Sequence, residues 1–156
     1  MSNTVRLIIC IFICQLAGVI GMILTMDSQS GWYASLNKPS FNPPDWLIAP
    51  VWVVLYLLMG ISLFLIWKEG LKNKEVKTAF ILFIIQLIFN VLWPVVFFGG
   101  HSIPGGLIVL IILWLLILIT IIKFKNISRT AAILLIPYLL WVSFATLLNF
   151  FIYKLN

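Results

Sequence analysis

The sequence has little charge. Asp, Glu, Lys and Arg make up only 9% of its 156 residues, whereas apolar residues make up 63%. Soluble domains average about 25% charged residues and do not need so large an apolar fraction. Runs without any charge cover residues 7–26, 46–67, 78–122 and 130–153, and a membrane-spanning helix needs only about 20 apolar residues. The composition therefore excludes a soluble domain and indicates a membrane protein.

The sequence also lacks the ionisable groups that several activities require. No charged residue lies inside the apolar runs, where proton-coupled pumps usually carry one, so coupled transport is disfavoured. The single histidine, His101, has no second histidine or carboxylate cluster near it in the sequence. We expect a solvated loop residue there rather than a metal or haem ligand. Ser62 and Ser143 have no ionisable neighbour to form a nucleophile–base pair. No metal, cofactor or hydrolytic chemistry is expected.

Cysteine is scarce as well. Cys10 and Cys14 lie one helical turn apart, a geometry in which a disulfide is poorly placed, so we predict packing thiols. They belong to the first apolar run, which is longer than the hydrophobic part of a usual signal peptide and is followed by no clear cleavage site. We therefore expect a retained helix.

The run 78–122 is too long for one span, and the Gly- and Pro-rich segment 99–106 divides it. The prediction is an all-α membrane protein with a single domain over residues 1–156. It is a bundle of five transmembrane helices at about 7–26, 46–67, 78–98, 104–122 and 130–153, with a long loop rich in aromatic residues and proline between the first two.

The net charge of +6 is unevenly placed. With five spans, eight of the ten Lys and Arg residues fall on the side of the N-terminus: Arg6, Lys68, Lys72, Lys74, Lys77, Lys123, Lys125 and Arg129. The opposite side has only Lys38 and Lys154. For the bacterial cell membrane that we expect, this bias predicts a multi-pass protein with a cytoplasmic N-terminus and an outside C-terminus. The charge attracts anionic membrane lipid and does not imply nucleic acid.

The loop and the segment that follows it, residues 31–56, have an unusual composition. Four prolines stiffen this stretch, and aromatic residues lie around them: Pro39, Pro43, Pro44 and Pro50, with Trp32, Tyr33, Phe41, Trp46 and Trp52. Such a loop can pack as a lid over a site in the bundle. It can equally be an aromatic belt at the headgroup level, where Trp and Tyr collect.

Three spans each place aromatic residues and small or amide residues on one helical face. The residues are Trp52, Tyr56 and Gly60 in the second span, Gln86, Asn90 and Trp93 in the third, and Tyr138, Trp141, Ala145 and Asn149, flanked by Phe144 and Leu148, in the fifth. Amides in hydrocarbon need partners, so these faces point into the bundle. They suit a large, flat, apolar ligand, or only interhelical hydrogen bonds. In the first span, Ala17 and Gly21 allow close helix approach, within the bundle or between two copies.

Four sequence blocks resemble one family. W-Y-x-x-L-x-K-P-x-F-x-P-P begins at Trp32, P-x-W-x-x-L-Y-x-x-M-G at Pro50, Q-L-x-x-N-x-x-W at Gln86 and P-Y-x-x-W-x-x-F-A-x-x-L-N at Pro137. In order and spacing they are similar to the tryptophan-rich sensory protein (TspO) family, whose mammalian members are the translocator proteins or peripheral benzodiazepine receptors. The resemblance covers essentially the whole chain.

This resemblance implies a five-helix bundle that binds porphyrins such as protoporphyrin IX and isoquinoline carboxamide or benzodiazepine-type drugs, with a possible homodimer. The implied pocket residues are Tyr33, Pro43, Pro44, Trp52, Asn90, Trp93, Tyr138, Trp141, Phe144, Ala145 and Leu148. Their helical faces add Tyr56, Gln86 and Asn149. A cholesterol role is not expected, because the Leu–Tyr–Lys spacing of the family's motif is not met at Tyr153 and Lys154.

The resemblance leaves three functions open. The leading one is a membrane receptor or sensor for tetrapyrroles. The second is a light- and oxygen-dependent enzyme that degrades porphyrin, for which Trp52 and Trp141 are the candidate catalytic residues, since an indole beside an excited porphyrin can donate an electron. The third is a porphyrin transporter. A bundle that binds no ligand is the remaining alternative.

Overall fold

The computed structural model describes all 156 residues, and all of its regular structure is helical. Five segments are long and apolar enough to cross a membrane: Asn3–Ser30, Asp45–Trp67, Lys74–Gly99, Ile103–Lys125 and Arg129–Leu155. The elements in chain order are α1 (Asn3–Ser30), α2 (Trp32–Ser35), α3 (Asp45–Trp67), α4 (Lys74–Pro94), a π-helix (Val95–Gly99), α5 (Ile103–Lys125), α6 (Arg129–Leu134) and α7 (Ile136–Leu155). The five predicted spans are confirmed.

Each span extends beyond its charge-free run, because polar residues cap the helix ends. The side chains of Ser2, Asn73, Ser102 and Ser128 accept a hydrogen bond from a backbone N–H in the first turn of α1, α4, α5 and α6. The helix α3 has no such cap but carries Asp45 in its first turn, where a carboxylate interacts favourably with the helix dipole. The charged residues within the helices therefore lie in the end turns.

Proline interrupts two of the spans. Pro94 is the last residue of α4, and the chain continues as a π-helix through Gly99. In the fifth span the α-helix is interrupted at Leu135, between α6 and α7, two residues before Pro137. Pro137 has no N–H to donate to the preceding turn.

Small residues bring α1 against its neighbours. A Cβ added at Gly60 of α3 would lie 2.7 Å from the Cα of Ile11, and one added at Gly18 would lie 2.7 Å from the Tyr56 ring. Ala17 is buried, and a Cβ at Gly21 would lie 3.6 Å from Pro94. Between the two roles predicted for Ala17 and Gly21, the structure places both in packing within the bundle.

Cys10 and Cys14 are both free and fully buried in the core that α1 shares with α3. The prediction that they are packing thiols is confirmed.

The arrangement of the helices leaves a seam on one side of the bundle. α1 packs on α3, α4 on α5, and α5 on α7. Of the two helices of the fifth span, α3 packs mainly against α6 and touches α7 at few points. We call the region where α3 meets α7, with Trp52, Tyr138, Trp141 and Ala145, the seam.

Candidate functional site

Hydrogen bonds link three helices inside the bundle. The Tyr56 hydroxyl of α3 donates to Asn90 Oδ1 of α4. Asn90 Nδ2 donates to the Tyr138 hydroxyl of α7 at 2.9 Å, and that hydroxyl donates to Gln86 Oε1 at 2.7 Å. All four side chains are buried. This polar network, Tyr56–Asn90–Tyr138–Gln86, fixes α3, α4 and α7 relative to one another, since in hydrocarbon each group has no water as an alternative partner.

Aromatic rings lie beside the polar network. The Trp52 ring stacks on Tyr56, with centroids 5.4 Å apart and an interplanar angle of 27°, and meets Tyr138 edge-on at 6.3 Å. One turn further along α7, Trp141 lies 5.5 Å from Phe144. Trp52 and Trp141 are half-buried and pack on the core. The seam is therefore walled by aromatic faces, with hydrogen-bonding groups behind them.

Several polar atoms in the interior have no hydrogen-bond partner. They are Gln86 Nε2, Trp93 Nε1, and both Nδ2 and Oδ1 of Asn149. Gln86 is 1% exposed and Asn149 is 3% exposed. Asn149 Nδ2 lies against Gly106, which also contacts the Phe97 ring, and Trp93 stacks on that ring at 5.4 Å. Buried groups without a partner are rare in proteins and call for an explanation.

The loop between α1 and α3 covers the end of the bundle at which α3 begins and α7 ends. Trp32 stacks on His101 at 4.7 Å, and Phe41 meets Phe144 and Phe151 edge-on. The Asn37 N–H donates to Asn156 Oδ1 at 3.0 Å, and Asn156 Nδ2 donates back to the Asn37 carbonyl at 2.8 Å. The loop is thereby fastened to the C-terminal turn of α7.

The loop aromatics divide between the two roles predicted for them. Trp32, Tyr33 and Phe41 pack inward on the bundle, as a lid does. Trp46 is 73% exposed at the start of α3, as expected of a residue in an aromatic belt.

Among the inward-packing residues of the lid (Trp32, Tyr33 and Phe41), Tyr33 contacts both the π-helix and the loop. Its ring packs against Phe97 and Phe98, and its hydroxyl donates to Asn42 Oδ1 at 3.2 Å. Burial, and then the negative charge of Asp45, raise the pKa of Tyr33, while the hydrogen bond to Asn42 acts the other way. Tyr33 therefore remains neutral and packed at physiological pH.

The model of the TspO/MBR family matches residues 10–155 of this sequence. The chain belongs to the TspO/MBR family. Among its relatives, the tryptophan-rich protein TspO of Chlorobaculum tepidum is 44% identical over 99% of this chain and 98% of the relative. The tryptophan-rich sensory protein of Cereibacter sphaeroides is 36% identical over 92% of the chain and 86% of the relative. The human translocator protein is 39% identical over 80% of the chain and 75% of the relative.

Family membership and the five spanning helices together establish an integral, multi-pass membrane protein. The residues predicted for the site of this TspO/MBR protein occupy three places in the fold. Those in or beside the seam are Trp52, Tyr56, Gln86, Asn90, Tyr138, Trp141, Phe144 and Ala145. Trp93 and Asn149 lie near Phe97, closer to the loop end.

The remaining predicted residues lie at the edges of the site. Tyr33 and Pro43 are in the loop, and Pro44 immediately precedes α3 and is exposed. Leu148 is half-buried on α7. Tyr33 is turned towards the π-helix by its contacts with Phe97 and Phe98, so the structure does not bring it into the seam.

Phe97 is the main residue that sequence reasoning missed. It is 1% exposed and contacts Trp32, Tyr33, Trp93 and Phe98. Phe97 lies in the π-helix, in which each turn contains more residues than in an α-helix. Phe97 nevertheless follows Gln86 by eleven residues and Trp93 by four, which is the spacing of one helical face. Extending the face of Gln86, Asn90 and Trp93 past Pro94 would have found it.

Two clefts on the surface are separate from the seam. One, of about 490 Å³, lies between α5 and α7 and is lined by Ile111, Trp114, Leu115, Ser143 and Thr146. The Trp114 indole N–H donates to Ser143 Oγ at 2.7 Å, and the Ser143 hydroxyl donates to the Leu139 carbonyl. The donors of Trp114 and Ser143 therefore have partners, unlike the unpaired donors in the interior.

The second cleft, of about 240 Å³, includes Trp32, His101 and Tyr153. His101 is exposed, has a positive φ of 49°, and lies 3.5 Å from the Ser28 hydroxyl. No group of three His, Cys, Asp or Glu side chains is arranged to hold a metal ion. His101 contacts the Ser28 hydroxyl of α1 and the Trp32 ring of the loop.

Proposed function

We propose that this TspO/MBR protein is a membrane receptor or sensor that holds a flat aromatic ligand, a tetrapyrrole such as protoporphyrin IX, in the seam between α3 and α7. The observation that carries the proposal is the combination of half-buried indoles at the seam with the Gln86 Nε2 donor, which lies beside Tyr138 and lacks a partner. A bundle that bound nothing would leave this donor unsatisfied, at a cost of about 1–3 kcal/mol.

The chemistry of the seam suits this class of ligand. Trp52 and Trp141 offer ring faces for stacking, which contributes about 0.5–1.5 kcal/mol for an aromatic pair beyond the burial of area. The interior near them contains no charged side chain, so it suits the uncharged macrocycle of the porphyrin and not its ionised propionate groups. The same features accept isoquinoline carboxamide or benzodiazepine-type drugs, which are also flat and apolar.

The lid supplies a route of entry. It covers the loop end of the bundle and is fastened through the hydrogen bonds between Asn37 and Asn156. Release of these hydrogen bonds would expose the end of the seam that lies under the loop. We further propose that this end faces the outside of a bacterial cell membrane, because the opposite end carries eight of the ten Lys and Arg residues.

The test is a titration of the purified protein with protoporphyrin IX, followed by quenching of tryptophan fluorescence in the dark. We expect saturable quenching, and we expect Trp52→Leu to raise Kd about tenfold through loss of the stacking face. Trp114→Leu is the matched control, because Trp114 lies in the outer cleft between α5 and α7. Equal affinity in both variants, or no quenching in the parent, would overturn the proposal.

Illumination of the same samples tests the enzymatic alternative. The position of Trp52, half-buried and stacked on Tyr56 beside the seam, favours this second function. If the protein degrades porphyrin, the absorption bands decay faster than in detergent alone, and Trp52→Phe and Trp141→Phe slow that decay. Variants that bleach porphyrin at the parental rate would exclude these two residues as the photochemical donors. Stable bands would direct the next test to flux into sealed vesicles, which identifies a transporter.

A further inference from the structure

Gln86 is the innermost of the unsatisfied groups. It lies near the middle of α4 and is 1% exposed. Its Oε1 accepts the hydrogen bond from the Tyr138 hydroxyl at 2.7 Å, while its Nε2 has no partner. Trp93, the other α4 residue with an unpaired donor, lies seven residues on, about 10 Å along the helix axis towards the loop end.

The direction of the polar network determines which end of the Gln86 amide is free. The hydroxyl protons of Tyr56 and Tyr138 are given to Asn90 Oδ1 and Gln86 Oε1, and Asn90 Nδ2 donates to Tyr138. If the oxygen and nitrogen of the Asn90 and Gln86 amides were exchanged, three hydrogen bonds would remain, but the Tyr56 hydroxyl proton and the Gln86 oxygen would both lack a partner. In the direction that the structure has, only Gln86 Nε2 lacks a partner, so the unsatisfied group is a donor.

A neutral acceptor is the complement of such a donor. A carboxylate would have to be desolvated in an interior that holds no cation. An ammonium has no lone pair to accept the bond, and a hydroxyl that accepted it would bury its own proton without a partner. A carbonyl oxygen accepts the hydrogen bond without bringing charge. We propose that Gln86 Nε2 donates a hydrogen bond to a ring carbonyl at the buried edge of the ligand, so that the protein prefers tetrapyrroles with a formyl or keto group over those with only alkyl and vinyl groups. This inference rests on the proposed function.

The test uses two porphyrins that differ at one substituent: protoporphyrin IX and its monoformyl analogue, in which one vinyl group is replaced by formyl. We expect the parental protein to bind the formyl compound about tenfold more tightly, the usual order of one buried hydrogen bond. Gln86→Met has nearly the same size and no donor, and it should bind both compounds equally. Gln15→Met is the control, because it removes an amide that donates instead to the Val53 carbonyl, from α1 to α3; it should keep the preference.

A vibrational measurement gives a second readout that does not depend on affinity. The formyl C=O stretch should move to lower frequency on binding to the parental protein and to the Gln15→Met variant, but not on binding to Gln86→Met. If Gln86→Met fails to fold, Gln86→Glu replaces it: a protonated carboxyl keeps one acceptor and one donor, so preference and shift should persist in part. Equal affinity for both porphyrins with an unmoved stretch would overturn this inference and leave porphyrin binding intact. Failure of both porphyrins to quench would overturn the proposed function itself.

Discussion

Replacing Tyr138 by Phe removes the central member of the polar network. Its hydroxyl accepts from Asn90 Nδ2 at 2.9 Å and donates to Gln86 Oε1 at 2.7 Å, so the variant loses two interhelical hydrogen bonds at once. The amides of Asn90 and Gln86 cannot form replacement hydrogen bonds with water, because Asn90 is only 4% exposed and Gln86 only 1% exposed. Interhelical hydrogen bonds in membranes average about 0.6 kcal/mol and reach about 1.7. Two of them give an expected loss of about 1–3 kcal/mol.

Tyr56→Phe calibrates this estimate, because the Tyr56 hydroxyl makes a single bond, to Asn90. It should cost about half as much as Tyr138→Phe. Tyr153 lies near the end of α7 and is 50% exposed. Tyr153→Phe should therefore change the free energy of unfolding by less than about 0.5 kcal/mol. Unfolding in a denaturing detergent titration measures all three. If Tyr138→Phe were as stable as Tyr153→Phe, the network would not hold the helices together and the reasoning would be refuted.

Three further predictions concern other parts of the fold. Gly60→Ala should destabilise by about 1–3 kcal/mol in the same titration, because the added Cβ would lie 2.7 Å from the backbone of Ile11; unchanged stability would mean that α1 and α3 can separate freely. Asn156→Ala should raise both the association and the dissociation rate of porphyrin in stopped-flow quenching, since it releases the lid at Asn37; unaltered rates would exclude the lid as a gate. The pKa of Tyr33 is raised in the folded protein above its ordinary value of 10.0, so folding favours the protonated form. The contribution of Tyr33 to thermal stability should therefore be fully present below pH 10 and be lost as the pH rises through the raised pKa, so Tyr33→Phe should show a smaller alkaline fall; an identical alkaline profile in the variant would contradict the assignment.

The lid illustrates how far local sequence carries. Proline and aromatic density in residues 31–56 predicts a stiff loop, but the same composition fits a lid and an interfacial belt. The choice depends on what faces each ring. Trp32 meets His101 and Phe41 meets Phe151, partners far away in the sequence. Trp46 meets none and is exposed.

The sequence by itself determined the five spans, the side that carries the positive charge, and the helical faces that hold Gln86, Asn90 and Tyr138. These follow from hydropathy, charge and a regular period, which act along one segment at a time. Only the tertiary structure decided that Asn90 joins Tyr56 to Tyr138, residues 34 and 48 positions from it. It also decided that the Gln86 donor is left free, and that Phe97 packs against Trp32 and Tyr33 of the loop. Periodicity states which face of a helix is buried, whereas the partner of a polar group depends on which helices are neighbours and at what depth they meet.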